Sequence, residues 1–140
     1  MEQYIEFATN HIWLVTAFLA VLAALAWNIF NGEGSKNAVD PVAATALINH
    51  EDAFILDVRS MNEFKGGHIL NAENVPLNGL NNSMKSIEKH KNKPVIAVCR
   101  SGSRSASACS ILRKAGFEKV HNLRGGMLAW ESANLPVKRK

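Results

Sequence analysis

The sequence predicts an α/β fold, an open and mostly parallel sheet with helices on both faces, preceded by one transmembrane helix. Three observations lead there. Short apolar, β-branched runs (Ala53–Val58, Lys93–Val98 and Lys119–Leu123) alternate with segments whose apolar residues recur at helical spacing, the order that joins parallel strands through helical crossovers. An uncharged apolar run of 19 residues, Ile12–Phe30, stands apart from that alternation. One strand ends on a cysteine, Cys99, with arginine, serine and glycine crowded into the next six positions.

The N-terminal run comes first in the chain. At about 1.5 Å per residue it spans roughly 28 Å, the thickness of a bilayer's hydrocarbon core. Trp13 and Trp27 near its ends resemble an interfacial aromatic belt. A buried core helix and a cleavable signal peptide are the competing readings. Ala24-Leu25-Ala26 has the look of a cleavage site, but residues 1–11 hold Glu2 and Glu6 and no Lys or Arg, where a signal peptide begins with positive charge. All 16 Lys and Arg lie at or after Lys36, so the positive-inside rule places residues 31–140 in the cytoplasm and the short flank 1–11 on the other side of the inner (plasma) membrane. Thr16, Ala20, Ala24 and Asn28 form a stripe of small and polar side chains, a candidate contact with a membrane-protein partner.

Residues 31–37 read as a polar, Gly-containing linker, and the soluble domain occupies 38–136. Asp40 caps a helix that opens at Pro41, with Val42, Leu47 and Ile48 expected on its core side. Ala53–Val58 is a buried strand, with Asp57 and Arg59 at the sheet edge where ligands gather, read as a charge pair that holds loops. Ser60–Lys65 is a short helix ended by Gly66-Gly67. His68 follows in a loop, expected to make a stabilising hydrogen bond rather than to catalyse, and a short strand lies near Ala72–Val75. Leu77 to about Lys91 reads as one polar helix with Leu80, Met84 and Ile87 as its apolar stripe. After the Cys99 region comes the strand Lys119–Leu123, then a short helix that sets Trp130 in the core. Residues 137–140 are a frayed basic tail, solvated or touching anionic lipid.

Cys99 is the residue around which the chemistry gathers. The helix expected from about Ser105, with Ala108, Ile111, Leu112 and Ala115 on one face, begins just beyond it. The first amides of a helix have no partner within it and favour negative charge. Gly102 lets the backbone turn its N–H groups inward, and Arg100 and Arg104 add positive charge, so a thiol of lowered pKa is expected. A plain core cysteine is the structural alternative. Cys109, in mid-helix, reads as packing.

Cys99-Arg100-Ser101-Gly102-Ser103-Arg104-Ser105 resembles the active-site loop of the single-domain rhodanese family of sulfurtransferases. Leu56-Asp57-Val58-Arg59, Glu63-Phe64, Gly67-His68-Ile69 and Asn74-Val75-Pro76-Leu77 are similar to the family's first half, and Asn122–Trp130 to its C-terminal signature. The resemblance implies sulfane sulfur transfer through a Cys99 persulfide. Arg100, Ser101, Gly102, Ser103 and Arg104 would hold the outer sulfur and attract a small anionic donor such as thiosulfate, and a thiol or a protein would accept the sulfur.

Other classes fit less well. A cysteine phosphatase places Arg six positions after the nucleophile, and here that position is Ser105. A membrane-tethered interaction module that has lost turnover is the alternative from outside catalysis. Residues 31–140 carry a net +6, but acids are interspersed and no aromatic-basic platform accompanies the charge, which argues against nucleic acid. Two cysteines and five histidines without ligand spacing imply no metal, and no cofactor is expected.

Overall fold

The computed structural model describes residues 1–31 and 37–140, so most of the expected linker lies outside the described residues. The chain divides into two compact units. The first holds α1 (Glu2–Asn10), in the segment expected only to flank the apolar run, and α2 (Ile12–Asn31). By length and composition α2 can cross a membrane, since 20 helical residues reach about 30 Å.

The second unit is built on five parallel strands in the order β1 (Ala38–Val39), β6 (Val120–Leu123), β5 (Val95–Val98), β2 (Phe54–Asp57), β4 (Glu73–Asn74). Every residue of β2 and β5 is buried, as strands covered on both faces must be, and their side chains alternate between two cores. Phe54, Leu56, Val95, Ala97 and Cys99 meet Ala108, Cys109 and Leu112 of α6 (Ser103–Lys114) on one face. Ile55, Ile96, Val98 and Leu123 meet Ala44 of α3 (Pro41–Glu51) and Met127 and Trp130 of α7 (Gly126–Ser132) on the other. Open parallel sheets carry ligands outside the carboxyl ends of their strands, and Cys99 directly follows the central strand β5.

The helix starting at Pro41 is capped as expected, Asp40 accepting from the Ala43 amide at 2.7 Å. Val42, however, is 74% exposed, and Ala44 takes the core position, with Leu47 and Ile48 packed against the same cluster. The helix expected over 77–91 breaks into 3-10 turns at Leu77–Gly79, Asn81–Ser83 and Glu88–His90 around a single α-turn, α5 (Met84–Ile87). Gly79 and the run Asn81-Asn82-Ser83 explain this, since glycine is entropically costly in a helix and Asn and Ser compete for its backbone bonds. Leu80 and Ile87 still reach full burial. The basic tail is not frayed at its start: β7 (Val137–Lys138) pairs antiparallel with β3 (His68–Ile69), because Val137 has an apolar neighbour in Ile69 and the second core to pack against.

Candidate active site

Cys99 directly follows β5 and α6 opens four residues later, one or two positions sooner than expected. That early start sets the site. The Gly102 amide donates to Cys99 Sγ at 3.0 Å, and Ser105 Oγ lies 3.3 Å from the same sulfur. Gly102 stands at φ +107°, a conformation that favours glycine, and this turns its N–H toward the sulfur. Burial pushes the Cys99 thiol up. The Ser105 side chain and the amides of Ser105, Gly102 and Ser101 outweigh it and hold the thiol below its ordinary value. The anion cradle therefore extends one residue beyond the expected 100–104, to Ser105.

Two partners from distant sequence hold the cradle. Asn122 on β6 accepts from Ser105 Oγ at 2.5 Å and donates through Nδ2 to the Gly102 carbonyl at 3.0 Å, so one amide fixes both the hydroxyl and the turn. On the other side the first amides of α7 take the loop's carbonyls: Met127 N–H to Cys99 O at 2.8 Å and Leu128 N–H to Arg100 O at 3.1 Å. With its carbonyls bound outside, the loop can present N–H groups inside. Gly126, at φ +57°, makes the approach possible, because a Cβ there would lie 2.6 Å from the Arg100 carbonyl carbon.

The two arginines are placed differently from expectation. Arg104, expected to add positive charge beside the thiolate, also forms a two-pronged ion pair with Glu63 of α4 (Met61–Lys65), at 2.8 and 2.9 Å. The Arg104 hydrogen bonds hold the Glu63 carboxyl down at about 2, and Glu63 in turn raises Arg104. Arg100 is exposed and lines a depression of about 270 Å3 with Arg59, Glu63, Met127, Leu128 and Glu131. Ser101 and Ser103 are exposed as well.

Asp57 and Arg59 form a buried pair. Arg59 Nε and NH2 contact both Asp57 oxygens at 2.8 to 3.1 Å, and NH2 also reaches the Gly67 carbonyl at 2.8 Å, tying the β2 edge to the turn before β3. His68 engages the Phe64 carbonyl through Nδ1 at 2.8 Å and stacks on the Phe64 ring at 3.7 Å, which gives it a loop-holding place. Cys109 is buried, and burial pushes its thiol up to about 11. Among the described residues no three His, Cys, Asp or Glu side chains gather as a metal site would require.

Residues 40–133 match the rhodanese-like domain family. The chain belongs to the rhodanese-like family. Its relatives include a protein of Escherichia coli K12, YibN, 37% identical across 99% of both chains. A thiosulfate sulfurtransferase, GlpE of Pseudoalteromonas translucida, is 39% identical over 62% of this chain and 81% of its own length. Among solved structures, a rhodanese-related protein of Thermoplasma volcanium superposes with a TM-score of 0.67 at 27% identity, covering 74% of this chain and 99% of that one. The parallel sheet with helices on both faces is thus the rhodanese-like fold, and the family includes sulfurtransferases.

Within this rhodanese-like site, sequence reading missed Ser105, Asn122 and Glu63. A polar Asn inside the buried strand Val120–Leu123 was the available signal for the second, since buried amides are held by partners. Ser60-x-x-Glu63 was the signal for the third. It forms the capping box such spacing implies, with the Glu63 amide donating to Ser60 Oγ at 3.3 Å, but the further partner Arg104 lies 41 residues away.

Proposed function

We propose that this chain is a membrane-anchored sulfurtransferase that passes sulfane sulfur from a small anionic donor, thiosulfate or a relative of it, to a thiol through a persulfide on Cys99. The observation that carries the reading is the Cys99 sulfur at the N-terminal end of α6, facing the Gly102 amide and the Ser105 hydroxyl. The Cys99 thiolate attacks the outer sulfur of thiosulfate. The new S–S bond forms as the old one breaks, and sulfite leaves with the electron pair. The persulfide's terminal sulfur then carries the negative charge at the mouth of the amide cradle. An acceptor thiolate attacks that sulfur and releases Cys99 as a thiolate. The name of the Pseudoalteromonas relative, a thiosulfate sulfurtransferase, supports this donor.

The loop also bears on the phosphatase alternative. Ser105 stands where a phosphatase loop has its Arg, and its hydroxyl faces the sulfur, while Arg104 is turned to Glu63. A pocket without that guanidinium suits one sulfur anion better than a tetrahedral phosphate. The interaction-module reading draws on one observation, the complete burial of Cys99 in this conformation.

For the anchor, α2 carries exposed apolar side chains all round, Trp13, Phe18, Leu19, Val21 and Trp27 among them, which suits lipid better than water. The charge bias supports a cytoplasmic side for the domain, where thiols stay reduced. The decisive experiment is mass spectrometry of the detergent-solubilised full chain after thiosulfate treatment. One added sulfur on the Cys99 peptide, absent in Cys99→Ser, is expected; no added sulfur favours the interaction module. Alkaline phosphatase fused to the C-terminus in a bacterial host should be inactive, and an active fusion refutes the cytoplasmic placement.

A further inference from the structure

The Glu63–Arg104 pair ties the first turn of α6 to α4. Cys99 is 0% exposed. Glu63 and Arg100 line the depression of about 270 Å3; a second, of about 320 Å3, is lined by Arg104, Ser60, Val58, Pro76, Leu77 and Asn78. Glu63 borders the first and Arg104 the second, so the ion pair runs between the two hollows. Neither partner is deeply buried: the side chains of Arg104 and Glu63 are 38% and 33% exposed. The pair can open without unfolding anything.

The geometry of the pair resembles what a donor would offer. A guanidinium takes two oxygens of one planar or tetrahedral oxyanion through parallel N–H bonds, and here the carboxylate of Glu63 fills both positions, at 2.8 and 2.9 Å. The sulfonate end of thiosulfate carries oxygens that fit the same two donors. Glu63 has somewhere to go when displaced, because Oε1 already lies 3.1 Å from Ser60 Oγ and 3.4 Å from the Ser60 amide, its capping-box partners.

From this geometry we infer that Glu63 is an internal stand-in for the donor's oxyanion, a latch that masks Arg104 until an anionic sulfur donor displaces it. Glu63 is then a specificity-determining residue. Neutral compounds gain nothing from the exchange, and an anion gains Arg104 only by competing with a carboxylate already in place. This deepens the sulfurtransferase reading and depends on it only for the identity of the donor.

The test compares iodoacetate with iodoacetamide as alkylators of Cys99 in the full chain. Both lose iodide to the thiolate, and they differ in one charge. In Glu63→Gln the iodoacetate-to-iodoacetamide rate ratio should rise about two- to five-fold, the span expected for releasing a half-exposed, two-pronged pair. In an Arg104→Gln background the same Glu63→Gln change should leave the ratio unmoved. An unchanged ratio in Glu63→Gln overturns the latch. So does an equal rise in both backgrounds, which would make Glu63 a plain repelling charge. Gln is accepted at that capping-box position, so the fold should stand. Should Glu63→Gln not fold, Glu63→Asp, one methylene too short to reach Arg104, should raise the ratio in the same direction, and no rise there overturns the latch. Alkylation reads the latch whether or not sulfur is transferred. A Cys99 that never takes sulfur in the mass-spectrometric experiment would defeat the sulfurtransferase and leave the latch in place; a flat ratio would do the reverse.

Discussion

Replacing Ser105 with Ala removes the side chain that stands 3.3 Å from the Cys99 sulfur, and its effect on the thiol is calculable. A hydrogen bond to a charged group contributes about 1.5–3 kcal/mol, so complete loss would disfavour the thiolate by about that much and raise the Cys99 midpoint. The hydroxyl has one proton, and the Asn122 amide oxygen at 2.5 Å competes with the sulfur for it. The cost to the thiolate should therefore lie near the lower end, about 1.5 kcal/mol. The assay is the pH dependence of iodoacetamide alkylation. Cys109 does not confuse it, because burial both covers that thiol and holds it up at about 11. A second consequence falls on stability: Asn122, which is 6% exposed, loses the partner of its buried oxygen, at a cost of about 1–3 kcal/mol. A folded Ser105→Ala protein whose alkylation midpoint matches the wild type would refute the claim that this hydroxyl supports the thiolate.

Gly126→Ala should destabilise the domain by more than about 2 kcal/mol and slow Cys99 alkylation, since the new methyl would sit against the Cys99 and Arg100 carbonyls that α7 amides now bind, at a backbone φ of +57°; a urea midpoint like that of the wild type would show the approach to be looser than described. Glu63 predicts an acid dependence. Its folded pKa of about 2 lies below the ordinary 4.5, so its contribution is complete above about pH 5 and is lost as pH falls toward 2. Urea midpoints at pH 7 and pH 2.5 should show a loss in wild type that exceeds the loss in Glu63→Gln, by no more than about 1 kcal/mol because solvent screens the pair. Equal losses would mean that the carboxylate gains nothing from Arg104.

What could be read in the sequence was whatever is local. The apolar run of α2, the alternating strands and the loop from Cys99 to Ser105 are each contiguous, so composition and spacing describe them. The partners that finish the site are not. Asn122 reaches Ser105 across 17 residues and Glu63 reaches Arg104 across 41, and no periodicity announces either pairing. Ser105 was missed for a subtler reason. Starting α6 at Ser103 rather than at Arg104 or Ser105 turns a different face of its first turn toward β5 and β6, and the residue expected to open the helix becomes the one aimed at the sulfur. Short elements were hidden by length: β1 and β7 have two residues each, too few to show alternation, and their pairing partners lie far along the chain.

The placement of Arg104 changes how the site divides its work. A cationic side chain and a set of amides near one thiol look interchangeable in a sequence, since both lower a thiol's pKa. In the folded chain they are separated. The amides of Ser101, Gly102 and Ser105 act on the sulfur itself, fixed by Asn122 and by the amides of α7, and they act equally on any anion that forms there. The guanidinium instead binds the Glu63 carboxylate through two of its N–H groups. On the proposed reading, the thiolate is supported by these amides and the Ser105 hydroxyl, and choice of donor falls to the Glu63–Arg104 pair. If a Cys99 persulfide forms, it carries a single charged sulfur and no oxyanion once sulfite has left, so Glu63 would be able to return to Arg104, leaving the bound sulfur to the amides and the Ser105 hydroxyl.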